Sequence, residues 1–165
     1  MLIVMLGTNI ILSSEFIKTN ALVWKLEHSY ENWKFADVSL LTKMGDLLYF
    51  QDHKYKAEKW YRRALEINPG KSRTLNNLAW LLTETHNDDQ KRLKESMELA
   101  QKALEGKKTA FIWDTLAEAY FINGLYEKAV DAAHHAVESA EEGNGISVDA
   151  DLDYYKNRFK QMAGE

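Results

Sequence analysis

The sequence predicts an all-α fold, a solenoid built from stacked pairs of helices. Three observations point there. Apolar residues recur at spacings of three and four in most stretches, as in Leu41, Met44 and Leu48, or Leu75, Leu78 and Leu82. A small residue stands at a matching place in three successive segments: Gly45, Ala79 and Ala117. The 165 residues contain one proline, no cysteine and 45% hydrophobic residues, which suits packed helices without disulfides.

In chain order, Met1 to Leu12 is apolar apart from Thr8 and Asn9. It is shorter than the roughly 20 residues that cross a bilayer, and it lacks the basic start of a secretion signal. Three readings compete: a strap on the first helix pair, an anchor at a membrane interface, or the tail of a membrane span that precedes this chain. From Ser14 to Lys34 a helix is expected. Ser14 can cap it, and Val23, Leu26, Tyr30 and Trp33 share one face. It is read as a helix capping the first pair, so that residues 1–37 form an N-terminal segment.

Residues 38–71 read as two antiparallel helices. Leu41, Met44, Gly45 and Leu48 mark the first, and Ala57, Tyr61 and Ala64 the second, with a turn at Gln51 to Lys54. Gly45 admits a close neighbour and Tyr61 fills the gap. Pro69 ends the second helix, because it has no N–H and cannot continue one. Residues 72–109 repeat the plan. Leu75, Leu78, Ala79 and Leu82 mark its first helix, and Ser96, Ala100 and Ala103 its second. Ala79 to Ser96 is 17 residues, against 12 from Gly45 to Ala57, so about five extra residues are expected in the inter-helix turn at Asn87-Asp88-Asp89. Gly106 is expected to cap the second helix.

Residues 110–141 form the third pair. Trp113, Leu116, Ala117 and Tyr120 mark one helix, Asn123-Gly124 the turn, and Tyr126, Ala129, Ala133 and Ala136 the other. The small-residue run requires a tightly packed neighbour. Residues 142–165 supply it as a loop and a final helix, capped by Asp149 or Asp151, whose face is Leu152, Tyr155, Phe159 and Met162. A stack leaves an apolar face at each end, so this helix is expected to terminate the array.

Val38 to Lys71 resembles a tetratricopeptide repeat (TPR), whose pattern is W-x2-L-G-x2-Y, A-x3-F and P over about 34 residues. Leu41 takes the tryptophan place, Met44 the leucine, Gly45 the glycine and Leu48 the tyrosine; Ala57, Tyr61 and Pro69 fill the rest. The resemblance implies a right-handed α-solenoid of three TPR units, 38–71, 72–109 and 110–141, with extra helices at both ends. Tyr30 stands where a repeat wants alanine, so residues 14–34 are not a full unit. Trp24-Lys25-Leu26-Glu27 with Trp33 resembles the junction where some multi-spanning bacterial membrane proteins, glycosyltransferase-like, enter a C-terminal TPR array.

Chemical motifs are thin. Gly70-Lys71-Ser72 resembles the end of a phosphate loop, but Leu65 stands where that motif needs glycine, and a helix precedes it instead of a strand. His134 and Glu138 lie one turn apart, with too few partners for a zinc site. Asp88-Asp89 and Asp149, Asp151 and Asp153 lack the glycine and glutamate of a calcium loop and read as helix-start acids. No enzyme activity, cofactor or metal is expected. The net charge of −4 argues against nucleic acid as a partner.

A repeat stack offers a concave face lined by its first helices. Carried over from the family, the lining places are Thr42, Asp46, Tyr49 and Phe50 in the first unit. In the second they are Arg73, Asn76, Trp80 and Glu84, and in the third Phe111, Asp114, Glu118 and Phe121. The family's grip on chaperone tails uses lysine, arginine and asparagine. Here Asn77 alone matches; Thr42, Asp46, Phe111 and Thr115 stand at the other places. The expected function is therefore a non-catalytic scaffold for a peptide or protein segment carrying apolar anchors and Lys or Arg. The alternatives are the soluble C-terminal end of a larger membrane-associated protein, and a self-association module. The compartment is not fixed by the sequence; cytoplasmic is favoured, with membrane tethering through the N-terminal segment the other reading.

Overall fold

A computed structural model describes residues 37–85, 89–144 and 152–164. The chain divides into two units, Met1–Asp37 and Val38–Glu165, and every described helix belongs to the second. The expectations for Met1 to Leu12 and for the Ser14 to Lys34 helix lie outside the described residues, as do Asn87, Asp88, Asp149 and Asp151.

Seven helices and no strand occur among the described residues: α1 Val38–Phe50, α2 Lys54–Ile67, α3 Ser72–Thr85, α4 Gln90–Gly106, α5 Ala110–Ile122, α6 Tyr126–Glu141 and α7 Leu152–Ala163. None is long and apolar enough to cross a membrane. Successive helices pair as hairpins, α1 with α2, α3 with α4 and α5 with α6. Each hairpin then stacks on the next, α2 on α3 and α4 on α5, while α3 touches both α1 and α5. This is the helical repeat solenoid that the spacing predicts.

The small residues sit at the close approaches. A Cβ on Gly45 would lie 2.3 Å from Tyr61 Cε1, so the ring of α2 rests on the bare backbone of α1. Ala79, Ala100 and Ala103 share one buried cluster with Ala117, Ala129 and Ala133, joined by Leu75, Ile112 and Leu116. Each fully buried leucine contributes about 2 kcal/mol of hydrophobic stabilisation. The α1–α2 turn closes on Asp52, whose φ of 59° reverses the chain, and His53 N–H reaches Leu48 O at 2.8 Å. Gly124, at φ 73°, does the same between α5 and α6.

The second hairpin departs from expectation in two ways. The extra residues are mostly helical. α4 has 17 residues against 14 in α2, and α3 has 14 against 13 in α1. Asp89 is the reason: its carboxylate accepts from Lys91 N and Arg92 N, which caps α4 early. The cap at the other end is Lys107, not Gly106. Gly106 is the last residue of the helix, and Ser72 Oγ approaches within 2.3 Å of where its Cβ would stand.

The run of alanines on α6 is covered by α7. Ala136 and Ala140 pack with Tyr155, and Ala132 and Ala133 share a cluster with Met162 and Phe159. Because α7 also touches α5, it occupies the place that the first helix of a fourth hairpin would take.

Candidate functional site

Helices α1, α3, α5 and α7 present side chains to one groove of about 580 Å³. Its lining includes Asp46, Tyr49 and Phe50 from α1, Arg73, Asn76, Asn77 and Trp80 from α3, and Phe111, Asp114 and Thr115 from α5. Tyr154 and Tyr155 of α7 complete one end, and Tyr61 of α2 reaches in from behind. These positions follow from the hairpin stack: residues on the face of each first helix opposite its partner share one surface.

At the α1 end Asp46 is fully engaged. Tyr61 Oη and Asn77 Nδ2 donate to its Oδ1 at 3.0 and 2.7 Å, and Arg73 Nη2 donates to Oδ2 at 2.6 Å. Burial, then the Asp46 carboxylate, push the Tyr61 phenol strongly upward, so it stays a donor. Next to it, Trp80 Nε1 donates to Tyr49 Oη at 2.9 Å and Tyr49 donates to Glu84 Oε2 at 2.8 Å. Lys54 Nζ lies 3.6 Å from the same Glu84 oxygen. Burial, then the Glu84 hydrogen bond, raise the Tyr49 phenol to about 12.

At the α7 end Tyr154 Oη donates to Asp114 Oδ2 at 3.0 Å and Arg158 Nε to Oδ1 at 3.4 Å. Arg158 Nη2 donates to Glu118. Burial pushes the Asp114 carboxyl up, more than Arg158 and Tyr154 pull it down. For Arg158, burial alone would lower the guanidinium, but the Glu118 hydrogen bond and the Asp114 charge outweigh it and raise it.

Between these two braced ends lies Asn76. It is 6% exposed, and its Oδ1 has no hydrogen-bond partner. The neighbouring Thr115 hydroxyl is spent on Phe111 O at 2.9 Å. A buried, unpaired amide oxygen costs about 1–3 kcal/mol. The groove is thus lined by aromatic rings around an amide whose oxygen is unpaired and closed to solvent. Phe50, 83% exposed, stands at its rim.

Nine of the residues singled out in the sequence meet here: Asp46, Tyr49, Phe50, Arg73, Asn76, Asn77, Trp80, Phe111 and Asp114. Four do not line the groove. Glu84 sits beyond Tyr49 and Glu118 beyond Arg158, while Phe121 packs edge-on against Tyr126 at 5.4 Å. Thr42 is buried, its hydroxyl paired with Thr74 at 2.6 Å. The sequence reading missed Tyr154 and Arg158. Their helix was read for its apolar face alone, although an aromatic and an arginine one turn apart on its other side were visible. It also missed a clasp on the opposite side of the stack, where buried Glu58 accepts from Arg62 and Arg92 and Arg62 forks onto Glu95. His134 and His135 both reach Glu138, and no set of three His, Cys, Asp or Glu side chains among the described residues is placed to hold a metal.

A family model for the tetratricopeptide repeat matches residues 38–71. No curated protein matches the chain. Among solved structures the chain is similar to the Sgt2 TPR domain from Aspergillus fumigatus, with a TM-score of 0.64 and 24% identity over 78% of each chain. Likeness at that level of identity speaks to the fold.

Proposed function

We propose that this chain, a tetratricopeptide-repeat protein by its matched repeat and its stacked helix hairpins, is a non-catalytic scaffold that holds an uncharged, apolar or aromatic peptide segment of a partner protein in its groove. The observation that carries this reading is Asn76. A peptide carbonyl can take the amide hydrogens of this side chain, and a turn of the amide would bring Oδ1, closed off in the free protein, onto a peptide N–H. Flanking side chains of the segment would lie on Tyr49, Trp80 and Phe111.

The partner's anchors are apolar alone in this reading, where the sequence suggested apolar anchors together with Lys or Arg. The reason is that each acid around the groove already faces a donor of this chain: Asp46 faces Arg73, Glu84 faces Lys54, and Asp114 and Glu118 face Arg158. A lysine or arginine from outside would have to displace one of them.

The test is a fluorescence titration of wild type, Asn76→Ala and Trp80→Ala with three series of short peptides: neutral aromatic, basic and acidic. The neutral aromatic series should bind wild type best, and Asn76→Ala should weaken it about tenfold, the worth of one buried hydrogen bond. Preferential binding of the basic or acidic series, or equal affinity for wild type and both variants, would overturn the proposal.

A further inference from the structure

Building on the groove reading above, we propose that Arg158 sets the charge selectivity of the groove: it occupies the acidic end made by Asp114 and Glu118 and so excludes cationic segments. Three observations lead there. Arg158 comes from α7, the last of the four helices that face the groove, and its guanidinium spans both acids, Asp114 at 3.4 Å and Glu118 through Nη2. Its side chain is 20% exposed, whereas Arg73, the corresponding partner of Asp46 at the other end, is 61% exposed. Arg73 can swing into water; Arg158 is held by the helix that carries it. That helix is seated by Tyr155 and Met162, both buried, so Arg158 stays in place without depending on its own ion pairs.

The chemistry of the end that Arg158 fills is that of a guanidinium receptor. Asp114 lines the groove beside the aromatic rings of Phe111 and Tyr154, and Glu118 lies behind it. Carboxylates backed by ring faces favour a planar cation. With Arg158 present that cation is internal, and both carboxylates of this end are neutralised within the fold. Removing Arg158 would expose both carboxylates to whatever enters.

The experiment uses benzamidinium and its uncharged counterpart benzamide as probes, titrated at constant ionic strength into the full chain and followed by amide chemical shifts. Wild type should show no preference between them. Arg158→Ala should bind benzamidinium at least about tenfold more tightly than benzamide, with shifts centred on α5. Arg158→Gln, which keeps most of the side chain's packing stem, should show the same gain, and adding Glu118→Gln should remove it. Equal preference in wild type and both Arg158 variants would overturn the proposal, as would a gain that survives Glu118→Gln. Failure of the scaffold reading would show differently: wild type would bind no neutral aromatic peptide, whatever the small cation does in the variants.

Discussion

Gly45 and Gly106 both lack room for a Cβ, and the atoms that deny it decide what a substitution would do. At Gly45 the obstruction is the Tyr61 ring, at 2.3 and 2.5 Å, which is itself pinned by its hydrogen bond to Asp46. Gly45→Ala should cost about 1–3 kcal/mol in urea unfolding, since a rigid ring must move. At Gly106 the obstruction is Ser72 Oγ, while the next atoms lie at 3.6 Å and beyond. A hydroxyl can rotate away, and alanine is the better helix former, so Gly106→Ala should leave stability unchanged or raise it by up to about 1 kcal/mol. Asn76 shows the same logic with a functional side chain. Its unpaired oxygen is a cost that the free protein carries. Asn76→Leu, of similar size, should therefore raise stability by about 1–3 kcal/mol while removing affinity for neutral aromatic peptides. A variant that lost both stability and binding would mean that the amide serves the fold.

Helices α2 and α4 are joined by charge as well as by packing. Arg62 donates to Glu58 at 2.8 Å and to both oxygens of Glu95 at 2.6 and 3.0 Å, and Arg92 of α4 returns to Glu58. The Arg62 fork holds the Glu95 carboxyl below its usual value, against the upward pull of burial. A folded-state value below the unfolded one gives stability above the unfolded value, and that stability is lost as pH falls through the folded one. Glu95→Gln should accordingly lower Tm at about pH 7, and the gap to wild type should close in acid, as the pH falls below the usual carboxylate range. A gap that stayed constant across that range would show that the fork contributes nothing electrostatic. This clasp also marks what a sequence reveals about an element and what it hides. The hairpins were legible because Leu41, Gly45, Leu48, Ala57 and Tyr61 repeat at spacings that only a helix pair explains. The destination of the five additional residues was legible only in part: Asp89 reads as a helix-start acid and is one, but the Arg92–Glu58 bridge that ties α4 to α2 acts across 34 positions of sequence. The groove residues were legible as positions and illegible as charges. Asp46 and Asp114 look like open acids until Arg73 and Arg158 are found beside them, 27 and 44 residues away.

Across the second unit each helix touches its neighbours in the stack and little else, so the groove is a shared product of helices far apart in sequence. The α7 end depends on one aromatic side chain more than on any ion pair. Tyr155 is 1% exposed, packs against Ala110, Ala136 and Ala140, and its phenol is raised to about 12, chiefly by burial. Tyr155→Ala should cost about 3–5 kcal/mol locally, the range for deleting a buried aromatic ring. In a globular core that loss would be felt everywhere. In a stack it should stay near its origin, because protection is set by the contacts that each hairpin makes with the next. Hydrogen exchange on Tyr155→Ala should show α7 and α6 losing protection most, α5 less, and α1 and α2 close to wild type. Because Tyr154 and Arg158 would leave with α7, the same variant should open the Asp114 end of the groove while leaving the Asp46, Tyr49 and Trp80 brace intact. Uniform loss of protection from α1 to α7 would contradict the stack, and with it the idea that the two ends of the groove are built and tuned separately.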